Sequence, residues 1–327
     1  MPRELVEDSE VFLTEVCWHY FVNEMTQADI ASKMGVTRLR VNQSIQRAKA
    51  MGLVKIHIES PFLANIELQD SLRYALGIGR VVIGAADPRS YDYHRPVGAA
   101  LAAFLSERLR VADWRSLGVS WGLTLETAIR RLQRHSLPGL EVVSLLGGTA
   151  KGSTFNSFGI VSGFADVLGA HYSILTAPIY LSEGIDRDLL LSQADLNEHF
   201  RKFDTLDAVI LTCSDVSPRS FLVANGLPKE LSPQALIDAG AIGDVLGQFL
   251  DRDGHSVSKT IDDRTVGIPL DQVAKVEEKI LAAAGPHKVH IIRAACLRGL
   301  VDTLVTDDVT ARLLLDTATQ ITEAAAE

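Results

Sequence analysis

The clearest chemical signal in this 327-residue sequence is a run of cationic side chains that contains no carboxylate. Between Ile30 and Ile58 no Asp or Glu occurs, so the window carries +6, although the whole chain carries −9. Binding to nucleic-acid phosphates requires such a local excess of positive charge. A solvated helix face is the alternative explanation of any charge run. The six cations are Lys33, Arg38, Arg40, Arg47, Lys49 and Lys55.

Two predicted helices joined by a tight turn carry most of this window. Thr26 is suited to cap the first helix, and Asp29 follows it at capping-box spacing. That helix ends at Gly35, because glycine favours the left-handed conformation of a C-cap. Thr37 is suited to cap the second helix, which is expected to run to about Met51. Two short helices around a glycine turn indicate a helix-turn-helix.

The residues around this pair complete a small domain. An amphipathic helix is predicted from about Glu10 to Asn23, and residues 53–58 alternate like a short strand or wing. Ala31 is small enough to let the two helices approach, and Val41 is expected to pack between them. A small helical bundle with a basic surface remains the alternative.

The second helix of a helix-turn-helix enters the major groove of DNA. Thr37, Arg38, Asn42 and Gln43 would face base edges, since Arg, Asn and Gln reach guanine or adenine with two hydrogen bonds. Arg40 and Arg47 would contact phosphates. The residues predicted to bind DNA are Thr26, Gln27, Thr37, Arg38, Arg40, Asn42, Gln43 and Arg47.

After Glu59-Ser60-Pro61 the chain alternates apolar strand-like and helix-like segments, which predicts a parallel sheet covered by helices. We therefore place a DNA-binding domain at residues 1–59 and a second domain at 60–327. The predicted strands are Arg80–Gly84, Leu117–Ser120, Glu141–Leu146, Tyr172–Thr176, Ala208–Cys213, Lys279–Ala283 and Val301–Thr306. The predicted helices are Ala64–Leu76, Pro96–Arg110, Thr124–His135, Asn156–Leu168, His287–Arg298 and Asp308–Glu323.

Ligands of such sheets bind at the carboxyl ends of the strands. At one such end, Ser120 lies in a G-x-S-x-G string, the pattern of a hydrolase nucleophile elbow. A hydrolase would also need an oxyanion loop and a late histidine, for which the sequence offers no clear candidate. A Ser120 hydrolase is therefore an alternative, and no catalytic residue is predicted.

Two further loops follow predicted strands. Gly147 and Gly148 begin a glycine-rich loop through Gly152 that could offer backbone N–H groups to a phosphate or a sugar hydroxyl. The loop lacks the G-K-[ST] ending of a P-loop, and a tight turn without ligand is the alternative. In Gly285-Pro286-His287-Lys288, a lysine opens a helix. His287 and His290 lack the neighbouring ligands of a metal site, so no metal is predicted.

Composition excludes several other classes of protein. Apolar residues make up 47% and charged residues 22%, as in globular domains. The longest uncharged stretch, Val167–Ser182, is too short and too polar to span a bilayer. The three cysteines show no disulfide or metal spacing, and no signal peptide is recognisable. We expect a cytoplasmic protein without a cofactor or a membrane partner.

The ordered set of motifs resembles the SorC family of bacterial sugar-responsive transcriptional regulators over essentially the whole chain. The set comprises the helix-turn-helix, G-x-S-W-G-x-T, L-x-G-G-T, Gly240-Ala241-Ile242-Gly243-Asp244, and the L-V-T-D-D-x-T-A segment from Leu304 to Ala311. The region from Val16 to Ile58 looks most like the erythritol-catabolism branch.

This resemblance implies an α/β protein with an N-terminal all-α winged helix-turn-helix domain. The C-terminal domain would be a parallel-sheet sugar-binding domain similar to sugar-phosphate isomerases and deaminases. It also implies a dimer or tetramer that binds operator DNA and responds to a sugar, a polyol or a phosphosugar. The effector-binding residues it implies are Gly122, Thr124, Gly147, Gly148, Asp244 and Lys288.

The sequence departs from the family pattern at three places. Leu146 stands where phosphosugar-binding members tend to carry arginine, Thr212-Cys213-Ser214 replaces a G-I-G, and Ala284-Gly285-Pro286 replaces a Gly-Gly. Loss of a bidentate guanidinium favours a neutral sugar or polyol, while Lys288 and Lys151 keep a phosphosugar among the alternatives. The expected function is ligand-responsive regulation of a carbohydrate or polyol operon. The alternatives are an isomerase-like enzyme, the Ser120 hydrolase, or an interaction module without a ligand.

Overall fold

The structure is a computed structural model that describes residues 9–54, 63–87, 89–149 and 155–326. The chain divides into two compact units, an N-terminal unit of Met1–Leu63 and a C-terminal unit of Ala64–Glu327. The predicted domain boundary between 59 and 60, the wing beyond residue 54, and residues 150–152 of the glycine-rich loop lie outside the described residues. No helix in the described ranges is long and apolar enough to cross a bilayer.

The N-terminal unit contains the predicted helices. Helix α1 spans Glu10–Cys17 and continues as a π-helical turn, Trp18–Val22. Helices α2 (Gln27–Met34) and α3 (Arg38–Ala50) follow. The buried side chains that hold the three helices together are Phe12, Val16, Ile30, Ala31, Val41 and Ile45. The helix-turn-helix pattern read from the sequence is therefore present.

Local hydrogen bonds set the bounds of these helices. The Thr26 hydroxyl accepts from the Asp29 backbone N–H, and the Thr37 hydroxyl accepts from the Arg40 backbone N–H. Gly35 ends α2 with a φ of +70°, a left-handed conformation that side chains with a Cβ rarely adopt. Both caps and the glycine turn are confirmed.

The C-terminal unit is built on a seven-stranded parallel sheet. Its strands are β1 (Arg80–Gly84), β2 (Ser116–Val119), β3 (Glu141–Ser144), β4 (His171–Ser173), β5 (Ala208–Leu211), β9 (Glu278–Ala282) and β10 (Thr303–Asp307). They lie in the order β1-β10-β9-β5-β2-β3-β4. The five inner strands are almost wholly buried, as a sheet covered on both faces requires, whereas the edge strand β4 is polar and largely exposed.

The longer helices of this unit lie close to their predicted positions. They are α4 (Leu63–Leu76), α5 (His94–Arg108), α6 (Leu123–Arg131), α7 (Ser157–Leu168), α14 (Val289–Leu297) and α15 (Asp308–Ala326). Six helices of four to nine residues were not predicted, because they are too short to show clear periodicity. These are α8 (Arg187–Leu191), α9 (Ala194–Lys202), α10 (Phe221–Asn225), α11 (Pro233–Asp238), α12 (Lys259–Arg264) and α13 (Leu270–Val273).

A second sheet was also missed. It is a three-stranded antiparallel meander, and each strand has three residues. The strands are β6 (Cys213–Asp215), β7 (Gly243–Val245) and β8 (Gln248–Leu250). The predicted strand Ala208–Cys213 was wrong at its end, because the ladder of the large sheet stops at Leu211. The Thr212 hydroxyl donates to the Trp121 carbonyl at 2.8 Å, and the chain passes into the small sheet.

The predicted strand Glu141–Leu146 is likewise two residues too long. Leu146 leaves the large sheet and pairs with Gly267 in an antiparallel bridge. The strand ends of the large sheet and the meander therefore meet around the loops after β2, β5 and β9. These loops carry the residues described next.

Candidate DNA-contacting helix and effector cavity

Helix α3 presents most of the predicted DNA-binding residues on its exposed side. Arg38, Asn42, Gln43 and Arg47 are exposed, and Arg40 is half-buried. The opposite side of α3 packs into the unit through Val41, Ser44, Ile45 and Ala48.

The remaining predicted residues belong to the ends of the two helices. Thr26 and Thr37 are exposed, but their hydroxyl oxygens are occupied as helix caps. Gln27, the first residue of α2, is half-buried. Both threonine side chains therefore serve as N-caps, at the starts of α2 and α3.

The C-terminal unit holds a cavity of about 310 Å³ at the carboxyl ends of β5 and β9. Tyr93, Phe155 and Phe221 supply aromatic walls. The Phe155 and Phe221 rings meet edge to face at 5.0 Å between centroids. Hydroxyl and amide groups come from Ser214, Ser220 and Asn225, and charged or titratable groups from His94, Asp215, Arg219, His287 and Lys288.

Lys288 is the predicted effector residue that lines this cavity directly. It ends a single 3₁₀ turn, Pro286–Lys288, that follows β9 and begins after Gly285, whose φ is +118°. Its ammonium lies 5.6 Å from the centre of the Tyr93 ring. Within the described residues neither Lys288 nor Arg219 forms an ion pair, so two cations face the cavity without a direct carboxylate partner.

Thr124 reaches the cavity through a histidine. Its hydroxyl and the His94 Nδ1 are 2.9 Å apart, and His94 lines the cavity. Burial, reinforced by the charge of Lys288, lowers the pKa of His94 to about 4. The imidazole is therefore neutral near pH 7 and can accept or donate a hydrogen bond.

Gly122 is the N-cap residue of α6, the helix that carries Thr124. Its φ is +126°, and its N–H donates to the Phe155 carbonyl at 2.9 Å. Gly122 and Thr124 thus shape the cavity wall, while their neighbour Leu123 contributes to the lining.

Asp244 lies beneath the cavity rather than in it. It is 5% exposed and borders an adjoining space of about 70 Å³ that shares Ser214 and Phe221 with the larger cavity. Its carboxylate accepts from the Ser214 hydroxyl and from the Gly247 N–H. Burial raises the pKa of Asp244 to about 6, although both hydrogen bonds and the charge of Lys288 oppose the rise.

Gly147 and Gly148 lie outside the lining of both spaces. The Gly147 N–H donates to the Val266 carbonyl at 2.8 Å, and the Gly148 N–H donates to the Ala177 carbonyl at 2.9 Å. A Cβ on Gly147 would lie 2.5 Å from the Ala177 oxygen, so this glycine permits a close backbone approach. These two amides are engaged within the chain, as in the tight-turn alternative.

Ser120 lacks the surroundings of a nucleophile. It is completely buried, and its hydroxyl lies 3.2 Å from that of Thr212, which itself donates to Trp121. Among the described residues no imidazole or carboxylate hydrogen-bonds to Ser120, so that part of the chain offers it no general base.

Potential metal ligands come together at an exposed turn made of Asp251, Asp253 and His255. The Asp251 carboxylate accepts backbone N–H groups from both of the other residues at 2.9 Å, which accounts for their proximity without an ion. His287 instead faces the cavity, while His290 is exposed.

Sequence reasoning missed most of the cavity lining. Tyr93 and His94 lie at the start of α5. Asp215 ends β6, whereas Arg219 precedes α10 and Phe221 begins it, so the lining joins parts of the chain that are distant in sequence. One signal was available: Asp215 and Arg219 follow the end of β5 closely, and strand ends hold the ligands of such sheets.

Known proteins resemble this chain over most of its length. The erythritol catabolism regulatory protein EryD of Brucella abortus (strain 2308) is 25% identical over 298 residues, which cover 91% of this chain and 94% of that protein. The deoxyribonucleoside regulator of Bacillus subtilis (strain 168) is 26% identical over 300 residues, covering 91% and 95%.

Solved structures share the fold. The full-length sorbitol operon regulator SorC from Klebsiella pneumoniae superposes with a TM-score of 0.70 at 22% identity and covers 94% of this chain and 99% of its own. A domain of a possible sugar-binding transcriptional regulator from Arthrobacter aurescens TC1 gives 0.69 at 22% identity, covering 79% and 100%. The predicted α/β architecture is confirmed.

Residues 60–316 match the family described as "Putative sugar-binding domain". The match covers most of the chain, and the named relatives are transcriptional regulators rather than enzymes. The chain therefore belongs to the "Putative sugar-binding domain" family.

Proposed function

We propose that this regulator binds operator DNA through α2 and α3 and senses a sugar, a polyol or a phosphosugar in the cavity of its C-terminal unit. The observation that carries the proposal is a cavity at the strand ends that combines aromatic walls, neutral hydrogen-bonding groups, the Asp215 carboxylate and two cations without ion-pair partners in the described residues. It would act as a dimer or tetramer in the cytoplasm, where operator DNA lies, with 1–59 and 60–327 as its two domains.

The DNA-binding part of the proposal rests on α3. Arg38, Asn42 and Gln43 are exposed and would face base edges, while Arg40 and Arg47 would contact phosphates on the groove walls. Thr26, Gln27 and Thr37 would place the ends of the two helices against the DNA backbone, since backbone N–H groups at helix starts favour phosphate.

The effector part rests on the chemistry of the cavity wall. A sugar ring packs its apolar face on aromatic rings and its hydroxyls on polar side chains, and Tyr93, Ser214 and Asn225 supply both. Lys288 would meet the charged or most polar end of the effector. Together with Arg219 it supplies the positive charge that a phosphate needs. A phosphosugar therefore remains one of the proposed effectors. This holds although Leu146, at the position where phosphosugar-binding members tend to carry arginine, is buried and apolar.

The other predicted effector residues would not contact the ligand directly but would act through neighbouring residues. Thr124 would orient His94, and Asp244 would orient the Ser214 hydroxyl. Gly122, Gly147 and Gly148 would set the backbone of the loops around the site.

Regulation would follow from two packings of the C-terminal unit. An effector that binds one packing more tightly shifts the population toward it, and in an oligomer this changes the separation of the paired recognition helices. Half-sites must lie about one helical turn apart, or a multiple of it, for both helices to dock.

The test measures the affinity of the full chain for the promoter next to its own gene by fluorescence anisotropy. Salt is held fixed, because phosphate contacts make affinity steeply salt-dependent. Neutral sugars, polyols and their phosphates are added separately, and a change of about tenfold, or about 1.4 kcal/mol, identifies the effector class. Absence of specific binding under every condition would refute the proposal.

Paired variants locate the effector site. Lys288→Ala should abolish the response to the active compound while leaving operator affinity unchanged, because Lys288 lines the cavity. Lys275→Ala, at an exposed lysine outside the cavity lining, is the matched control and should respond as the wild type does. An unchanged response in Lys288→Ala would place the site elsewhere.

A further inference from the structure

The exposed side of α3 carries an uncharged strip that none of the roles above explains. At about 100° per residue along a helix, four residues lie opposite the side that packs into the unit. They are Leu39, Gln43, Gln46 and Ala50, with Asn42 at the edge of the strip, and all five are exposed. Their spacing of three and four residues puts them in one row along the helix.

Cations lie on both sides of this strip. Lys49 and Arg38 project along one edge, and Arg38, in the first turn of α3, would also reach a base edge. Arg40 and Arg47 project along the other edge, as the same angular spacing requires. The centre of the strip contains no charged side chain. This arrangement matches a major groove, in which base edges form the floor and phosphates form the two walls.

Leu39 is the unexpected member of the strip. It is 67% exposed, in the first turn of α3, and the described residues of the N-terminal unit do not bury it. Single exposed leucines are common on protein surfaces. This one, however, lies at the start of the recognition helix, the part that approaches base edges in a helix-turn-helix.

The chemistry of the strip selects for A·T pairs. Glutamine and asparagine form paired hydrogen bonds with N6 and N7 of adenine, and an apolar side chain contacts the C5-methyl group of thymine. The leucine and the three amides of the strip therefore have partners in adenine and thymine. Guanine is best read by arginine, which α3 carries only at the edges of the strip.

We propose that Leu39 and Gln46 are base-reading residues, Leu39 packing on a thymine methyl group and Gln46 binding adenine, so that the centre of each operator half-site is an A·T step. This inference rests on the proposed DNA-binding function and adds two residues and a base preference to it.

The experiment replaces single thymines of the operator with deoxyuridine, which removes only the C5-methyl group. Anisotropy titrations with the full chain compare wild type and Leu39→Ala at every thymine of one half-site. At one position the replacement should weaken wild-type binding by about fourfold, the value of one buried methyl group. At that position it should not affect Leu39→Ala.

Gln46 is tested in the same way with 7-deazaadenine, which lacks the N7 acceptor. At one adenine this base should weaken wild-type binding at least about fivefold, the lower end for a lost bidentate contact. The affinity of Gln46→Ala should be the same for the modified and the unmodified duplex. Leu189→Ala, which removes another exposed leucine in the C-terminal unit, is the matched control and should keep the wild-type profile.

The outcomes separate this inference from the proposed function. One outcome is that wild type and variants all bind the operator specifically and yet respond alike to every base replacement. If no thymine replacement separates wild type from Leu39→Ala, and no adenine replacement separates wild type from Gln46→Ala, the base-reading assignment alone is refuted. Failure of the wild type to bind any duplex specifically refutes the proposed function. Thermal unfolding of both variants should match the wild type, since Leu39 and Gln46 are exposed.

Discussion

Replacing Asp244 with asparagine should change how the stability of the chain depends on pH. Asp244 is buried, with a pKa of about 6 in the folded chain against an ordinary value of 3.8. The folded chain therefore holds this proton more tightly than the unfolded chain. Protonation of Asp244 favours folding, and the stabilisation is complete below the lower of the two values.

The size of the effect follows from the two pKa values. At about 1.36 kcal/mol per pH unit, a rise from 3.8 to about 6 corresponds to about 3 kcal/mol. This stabilisation is lost as the pH rises through about 6, because the folded chain must then bury an ionised carboxylate. Asparagine carries no charge to bury. Its oxygen can accept from the Gly247 N–H, and its amide can donate to the Ser214 hydroxyl, so both hydrogen-bond positions stay filled.

The assay is urea unfolding of wild type and Asp244→Asn between pH 4 and 8, followed by tryptophan fluorescence. The free energy of unfolding of the wild type should fall relative to that of the variant by up to about 3 kcal/mol across this range. Asp113→Asn, at an exposed position, is the matched control. A wild-type-minus-variant difference that is constant with pH would refute the burial argument. A difference that rises with pH would show that the charge of Lys288 outweighs burial.

Three further predictions concern effector binding, DNA binding and packing. Thr124→Ala should weaken the effector response by up to about tenfold, because His94 loses its partner, while operator titrations without effector remain at wild-type affinity. Arg38→Ala should cost about 1–3 kcal/mol of specific operator binding, and equal affinity in anisotropy would contradict its role. Gly243→Ala should destabilise the chain by about 1–3 kcal/mol, because its Cβ would overlap the Ser214 carbonyl oxygen of β6; Gly139→Ala, with open space, should be nearly neutral by urea unfolding.

The helix-turn-helix could be predicted because its signals are local. The Thr26 and Thr37 hydroxyls cap N–H groups three residues away, and Gly35 relieves a strain within its own residue. Each of these interactions joins residues that are at most a few positions apart in the sequence. The same holds for the inner strands of the large sheet, whose apolar runs predict that they are covered on both faces.

The small meander and the short helices could not be predicted in this way. Strands of three residues carry no periodicity, and β7 includes Asp244, a residue that normally marks a loop. Its burial is supported by Ser214 on the neighbouring strand, thirty positions away. Such pairing is decided by the fold of the whole unit.

The effector cavity shows most directly which features could be predicted from the sequence and which could not. Lys288 could be proposed from its place after a predicted strand, but its neighbours Tyr93, His94 and Arg219 belong to segments that meet only in the folded chain. Gly147 was expected to offer a free N–H to a ligand, whereas the tertiary structure gives that group to Val266. The sequence by itself determined the elements, because caps, glycine turns and apolar runs act over a few residues. Only the tertiary structure decided which polar groups are satisfied within the chain and which face the cavity, because both depend on contacts between distant segments.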